Sequence, residues 1–377
     1  MSRLSASGRA WVFLALGLTA AIVAGLEFRA MHEPEPITAG PGVARMRALS
    51  DYAAWMKGSP GDTPVYVFEG REPGGTMLLL GGTHPQEISG LMAAVLAIEN
   101  VTVAKGRLIV IPQANRSGFT HTEPLEGFPH TFEIDTPQGR RWFRLGMRLA
   151  NPIHQWPDPD LHVHAASGEV MVGLESRNLN RNHPGQAEGR FTARVAAAIL
   201  AVLKAEGADL TLDLHEAYPE YPIINMIVAH ERAFEIATLA TMSLQARKIP
   251  MDLMASPKNL HGLSHREFGD HSSTFALLSE TANPGMGRFR GRTDEALVVE
   301  GQDANYVRAS GLKRLFVPFS EKGHPLADRV ARNMATIEEL LAAHNEANTG
   351  REIVLEGLPD YDAVRLKGLG HFLKPIL

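Results

Sequence analysis

Short apolar runs closed by glycine or proline alternate along this chain with longer stretches of helical periodicity. Residues 77–80 are four large apolar side chains ended by Gly81 and Gly82, which predicts a buried strand and a tight turn. Residues 88–99 follow with apolar positions at helical spacing, and residues 108–111 predict a further strand. Residues 208–214 alternate like a strand and deliver His215, and residues 275–278 lead into Glu280 in the same way. Helices are predicted over 192–205, 233–246 and 325–345, the last with Pro325 at its first position, where a missing amide proton costs nothing. A short helix is predicted around 43–55. Strands alternating with helices predict an α/β fold with a mostly parallel or mixed central sheet and helices on both faces.

The N-terminus has a different pattern. Residues 11–28 are almost wholly apolar, with Arg3 and Arg9 ahead and Glu33 and Glu35 after. Leading positive charge predicts an N-in signal anchor, with the bulk of the chain in a bacterial periplasm or outside the cell. The stretch exceeds a signal-peptide core and falls slightly short of a full span; cleavage after Gly25 and release to the periplasm is the alternative. The expected organisation is an anchor or signal peptide over 1–28, a linker over 29–60, a catalytic domain over 61–350 and a tail over 351–377 packed on the core. Within the catalytic domain, residues 117–175 read as an insertion. Its prolines and tryptophans predict an ordered lid or rim.

Composition narrows the chemistry. A net charge of −5 without a basic run gives no footprint for nucleic acid. The chain has no cysteine, so any metal must rest on histidine and carboxylate.

Candidate ligands lie where the strands end. His84 and Glu87 are three residues apart at a strand-to-helix turn, spaced to face one ion, and His215 closes another strand. His84, Glu87 and His215 make a His₂Glu set that leaves one position of a single zinc ion open for water. Open α/β sheets bind ligands at the carboxyl ends of their strands. Glu280 at the end of its strand is a candidate general base. In residues 177–185, Arg177, Asn180 and Arg181 suit a carboxylate, because a guanidinium matches it bidentately. His162 and His164 present a second, weaker metal candidate without an evident third ligand, and His265 and Arg266 are candidate substrate contacts.

In order, these motifs resemble the zinc carboxypeptidase clan and, within it, the succinylglutamate desuccinylase/aspartoacylase branch. The relatives' Gly-Gly-x-His-Gly-Asn-Glu appears as residues 81–87, with Pro85-Gln86 in place of Gly-Asn. Their Asp-Leu-Asn-Arg appears as residues 178–181, with Asn178 in place of Asp. The resemblance implies zinc on His84, Glu87 and His215, substrate carboxylate on Asn180 and Arg181, and Glu280 as base and then acid. An arginine that polarises the scissile carbonyl is also implied. Arg116, just beyond the strand at 108–111, is favoured for it over Arg177. The implied activity is hydrolysis of an amide beside a carboxylate, as an N-acyl amino acid deacylase, with a peptide or cell-wall carboxypeptidase as the alternative. A non-catalytic binding protein on the same fold is the third possibility.

Overall fold

The computed structural model describes residues 6–122 and 128–376, in two compact units, 1–35 and 36–377. The first unit holds α1 (Ala6–Ala30), within which Ser7–Ala30 is long and apolar enough to cross a membrane. At 1.5 Å per residue its 25 residues span roughly 37 Å, so the helix exceeds the apolar run read from the sequence. Its large apolar residues, Trp11 and Phe13 among them, are exposed.

The second unit begins with β1 (Val43–Ala48), β2 (Pro64–Glu69), β3 (Glu72–Leu80), α2 (Ile88–Asn100) and β4 (Thr102–Ile111). Two hairpins follow, β5 (Thr131–Thr136) with β6 (Gly139–Arg144) and β7 (Leu161–Val163) with β8 (Val170–Val172). Then come α3 (Phe191–Glu206), β9 (Leu210–Ala217), β10 (Met226–Ala229), α4 (Phe234–Ala246), β11 (Asp252–Ala255), α5 (Ser264–His271) and β12 (Phe275–Ala282). The chain closes with α6 (Ala304–Gly311), α7 (Leu326–Ala347), β13 (Val354–Glu356) and α8 (Tyr361–Lys367).

Nine strands form one mixed sheet in the order β1-β2-β4-β3-β9-β12-β10-β11, with β13 paired to β4. Its centre, β4-β3-β9-β12, is parallel. Burial on both faces explains the unbroken apolar run of β3. Met77 and Leu79 pack into a core with α2 and α7, while Leu78 and Leu80 pack into a second core with α3. On β9, Leu210, Leu212 and Leu214 enter the first core, which turns Asp213 and His215 to the opposite face.

Three expectations are corrected. Residues 43–48 form an edge strand antiparallel to β2, not a helix, and only two 3₁₀ turns follow, at Leu49–Asp51 and Ala54–Met56. Leu49, Ala53 and Met56 are buried in the second core, so this stretch is part of the folded unit and not a linker. Pro325 is the N-cap of α7 and lies one residue ahead of the helix.

The insertion is also more deeply built in than a lid. Phe132 and Phe143 of the first hairpin belong to the main core, and Arg141 makes a buried ion pair with Glu99 of α2 at 2.8 Å. Residues 123–127 lie outside the described residues.

Candidate metal centre

The turn after β3 needs a left-handed residue, and Gly82 supplies it with φ +65°. That turn brings His84 and Glu87 over the sheet edge. Glu87 is the N-cap of α2, so the pair lies ahead of the helix and not in its first turn; a backbone bond from Glu87 N–H to His84 O, 2.9 Å, closes it. On the neighbouring strand α2 presses close to the backbone. A Cβ on Gly90 would meet Leu214 O at 2.4 Å, so only glycine permits this approach beside His215.

Two imidazoles converge on one carboxylate. His84 Nδ1 lies 2.8 Å from Glu87 Oε1, and His215 Nδ1 lies 2.7 Å from Glu87 Oε2, with all three groups buried. The outward nitrogens are braced. His84 Nε2 donates to Asn178 Oδ1 at 3.0 Å, and His215 Nε2 lies 2.9 Å from Asp213 Oδ2, off the ideal hydrogen-bond line. Asp213 is itself held by Thr83 Oγ1 and Ser264 Oγ. With the proton of each ring on Nε2, both Nδ1 lone pairs would be directed inward, as a cation held there requires. The donor set of two imidazoles and a carboxylate, each oriented by an outer partner, fits a divalent cation.

The electrostatics of the bare protein side chains follow from burial and pairing. Burial opposes charge on His215, but Asp213 and Glu87 on its two sides outweigh it and hold its pKa well above the ordinary value. Burial would also raise Glu87, yet His84 and His215 outweigh it and hold the carboxyl low. His84 is pushed down to about 4 by burial and by nearby Arg148.

Glu280 stands opposite His215 in the parallel β9-β12 register, so both side chains share a face. Its Oε2 is buried without a partner, and burial together with the charge of Glu87 pushes its pKa up to about 8. A cavity of about 510 Å³ opens here, lined by His84, Glu87, Glu280, Asn180, Arg181 and Arg148 among others. Ser264 N–H donates to Asn180 Oδ1 at 2.8 Å and orients the amide. Arg181 Nη1 donates to Asn180 O, and Arg181 has no ion-pair partner among the described residues.

The two remaining arginines lie elsewhere. Arg116 Nη1 donates to Asp62 O at 2.5 Å, away from the cavity. Arg177 is held bidentately by Asp158 at 2.8 and 3.0 Å and donates to Ala150 O, so its fork is already filled. The guanidinium at the site is that of Arg148, whose Nη1 lies 3.3 Å from His84 Nδ1 and 3.5 Å from Glu87 Oε1. The insertion delivers it, with Arg148 N–H anchored on Gln86 Oε1 and Ala150 N–H on Arg177 O. Arg177 thus braces the segment that carries Arg148.

Tyr218 and Tyr221 also line the cavity, rings 5.3 Å apart, on the loop after β9. No sequence signal marks them apart from their closeness to His215. His265 lines the cavity, whereas Arg266 is engaged by Ser256 and Glu231 and does not. His164 is buried beside His261 and Glu267, but its Nε2 donates to His183 O at 2.6 Å and its Nδ1 accepts from Ser167, so neither nitrogen is left for an ion.

No family model matches the chain, and no curated protein matches it. Solved structures similar to it include the tripeptide-bound cell shape determinant Csd4 of Helicobacter pylori, 15% identical with a TM-score of 0.44 over 78% of this chain and 55% of that one. A metallo-carboxypeptidase of Burkholderia cenocepacia is 12% identical, with a TM-score of 0.46 over 82% of this chain and 66% of the other. A succinylglutamate desuccinylase/aspartoacylase of Rhodobacter sphaeroides is 19% identical, with a TM-score of 0.32 over 58% and 51%. The chain thus spans about half to two thirds of the length of these structures.

Proposed function

We propose that this protein is a zinc-dependent hydrolase of an amide bond beside a carboxylate, acting as an N-acyl amino acid deacylase. The observation that carries the reading is the convergence of His84 and His215 Nδ1 on Glu87 beside the unpartnered carboxyl of Glu280. A zinc ion on His84, Glu87 and His215 would supply a polarised carbonyl and a water acidic enough to ionise near neutrality. Glu280, whose buried Oε2 has no partner, takes a proton from the attacking water and returns it to the departing amine. Arg148 faces the same groups and stabilises the developing oxyanion. Arg181, whose guanidinium donates to Asn180 O and has no ion-pair partner among the described residues, offers its fork to the substrate carboxylate, with Asn180 beside it.

A second reading, an extracytoplasmic carboxypeptidase on peptides or cell-wall fragments, has support of its own. The same cavity is walled by Val228, Met254, Leu260, Leu263 and Leu278, which suits an apolar terminal side chain. Helix α1 supports anchoring in a bacterial inner membrane with the hydrolase on the periplasmic side.

Metal analysis and amide hydrolysis on the full chain, wild type beside Glu280→Gln, test the reading. Zinc in both with hydrolysis lost by about 10²- to 10⁴-fold in the variant is expected. Zinc in neither overturns it. A panel of N-acyl amino acids and short peptides separates the two substrate classes.

A further inference from the structure

Away from the metal centre, a cavity of about 720 Å³ lies between the loop before β10, the start of β11, residues 316–318 and α7. One side is apolar, with Pro222, Ile224, Met226, Phe316 and Val317. The other carries Arg332 of α7, only 9% exposed. Its guanidinium is scarcely satisfied. Nε has no partner, and Nη1 reaches only Asn225 Oδ1 at 3.5 Å, the limit of a hydrogen bond. The acid one turn earlier, Asp328, is taken by Arg365 at 2.9 Å. Asp252 lies on the exposed rim and accepts from Gln245 at 3.3 Å. His324, also on the wall, is held neutral: burial and then Arg332 push its pKa down to about 4, and its Nε2 donates to Pro318 O. Arg332 is therefore the fixed charge of the interior.

A guanidinium so removed from water is costly unless an anion joins it, and its planar fork matches a carboxylate. We infer that this cavity is a second ligand site, which takes a small organic carboxylate with its head group on Arg332 and its apolar body against Ile224, Met226 and Phe316. The same loop borders both cavities, with Tyr221 and Ile223 on the metal side and Pro222 and Ile224 on this one. The two sites share a wall but no charged residue.

Titration calorimetry of the full chain with hexanoate tests this, in an Arg181→Ala background that removes the carboxylate anchor proposed for the metal centre. Binding at one site per chain is expected, weakened at least tenfold by Arg332→Met, with hexylamine not bound. Because Arg332 is buried, Phe316→Asp serves as the second variant. Phe316 is 64% exposed, so an acid there repels the ligand without disturbing the core, and a loss of comparable size is expected. Absence of hexanoate binding, or binding unchanged by both Arg332→Met and Phe316→Asp, overturns the inference. Neither variant touches the ligands of the metal centre, so zinc content and amide hydrolysis, measured with Arg181 intact, report separately on the function proposed above.

Discussion

At the scale of single residues, the four arginines considered for the site are told apart by what already occupies each fork. Arg177 is filled by Asp158 and Ala150 O, and Arg116 by Asp62 O, while Arg181 and Arg148 face the cavity. Their roles separate kinetically. Arg181→Ala is expected to raise KM for carboxylate substrates more than it lowers kcat, because it removes binding common to ground and transition states. Arg148→Ala is expected to lower kcat by about 10²- to 10³-fold, the usual effect of losing an oxyanion donor. Steady-state kinetics on both variants checks the split, and the reverse pattern would exchange the two roles. His84, Glu87, His215 and Glu280 were legible as candidates because a strand end is a local pattern. Arg148 was not, because nothing local distinguishes it from Arg140, Arg141 or Arg144; only the return of the insertion against Gln86 does.

At the scale of elements, the centre depends on how tightly its supports pack. Glu87 accepts from Glu216 N–H at 3.0 Å, and the Glu216 side chain in turn pairs with Arg329 of α7 at 2.9 Å, with both side chains fully buried. Ser89 N–H and Asn283 Nδ2 also donate to Glu216. Burial raises the Glu216 pKa, with Arg329 opposing. Breaking such a pair strands a charge in the interior, so Arg329→Met is expected to destabilise the fold by about 3–5 kcal/mol in denaturant titrations. A loss below about 1 kcal/mol would show that water reaches Glu216. The periodicities of β3, α2, β9 and β12 revealed these elements in the sequence. Strand β1 was misread, since Val43, Met46 and Ala48 mix with Arg45 and Arg47 as readily on a helix as on an edge strand, and pairing with β2 decides the matter.

At the scale of the whole molecule, several histidines are held in the neutral form, His183 and His265 buried and His324 half-buried. Burial, first among the causes, pushes His183 down to about 4, His265 to about 3 and His324 to about 4. The unfolded chain binds protons on these groups near pH 6.5, and the folded chain binds them only near 3–4. Stability is therefore fully present above pH 6.5 and declines as pH falls towards 4. Each such histidine contributes about 1.4 kcal/mol per pH unit within that window. Thermal melts across pH 4–8 should show this acid limb, and His183→Asn should flatten it; a Tm constant down to pH 4.5 would contradict it. Residues 36–377 form a compact unit and the apolar side chains of α1 are exposed, so deletion of residues 1–30 is expected to leave the Tm of that unit unchanged.

What the sequence determined by itself was whatever local pattern encodes: the apolar N-terminal helix, the central strands β3, β4, β9 and β12 with helices α2, α3, α4 and α7, and the histidines and glutamates at strand ends. These follow from the spacing of apolar residues and from glycines at turns, which neighbouring residues fix. Tertiary structure alone decided which guanidinium meets His84 and Glu87, that residues 43–56 belong to the fold, that the first hairpin of the insertion enters the core, and that Arg332 borders a second cavity. Each of those outcomes depends on which distant groups share a buried space. Desolvation and pairing act only once the chain has closed around them.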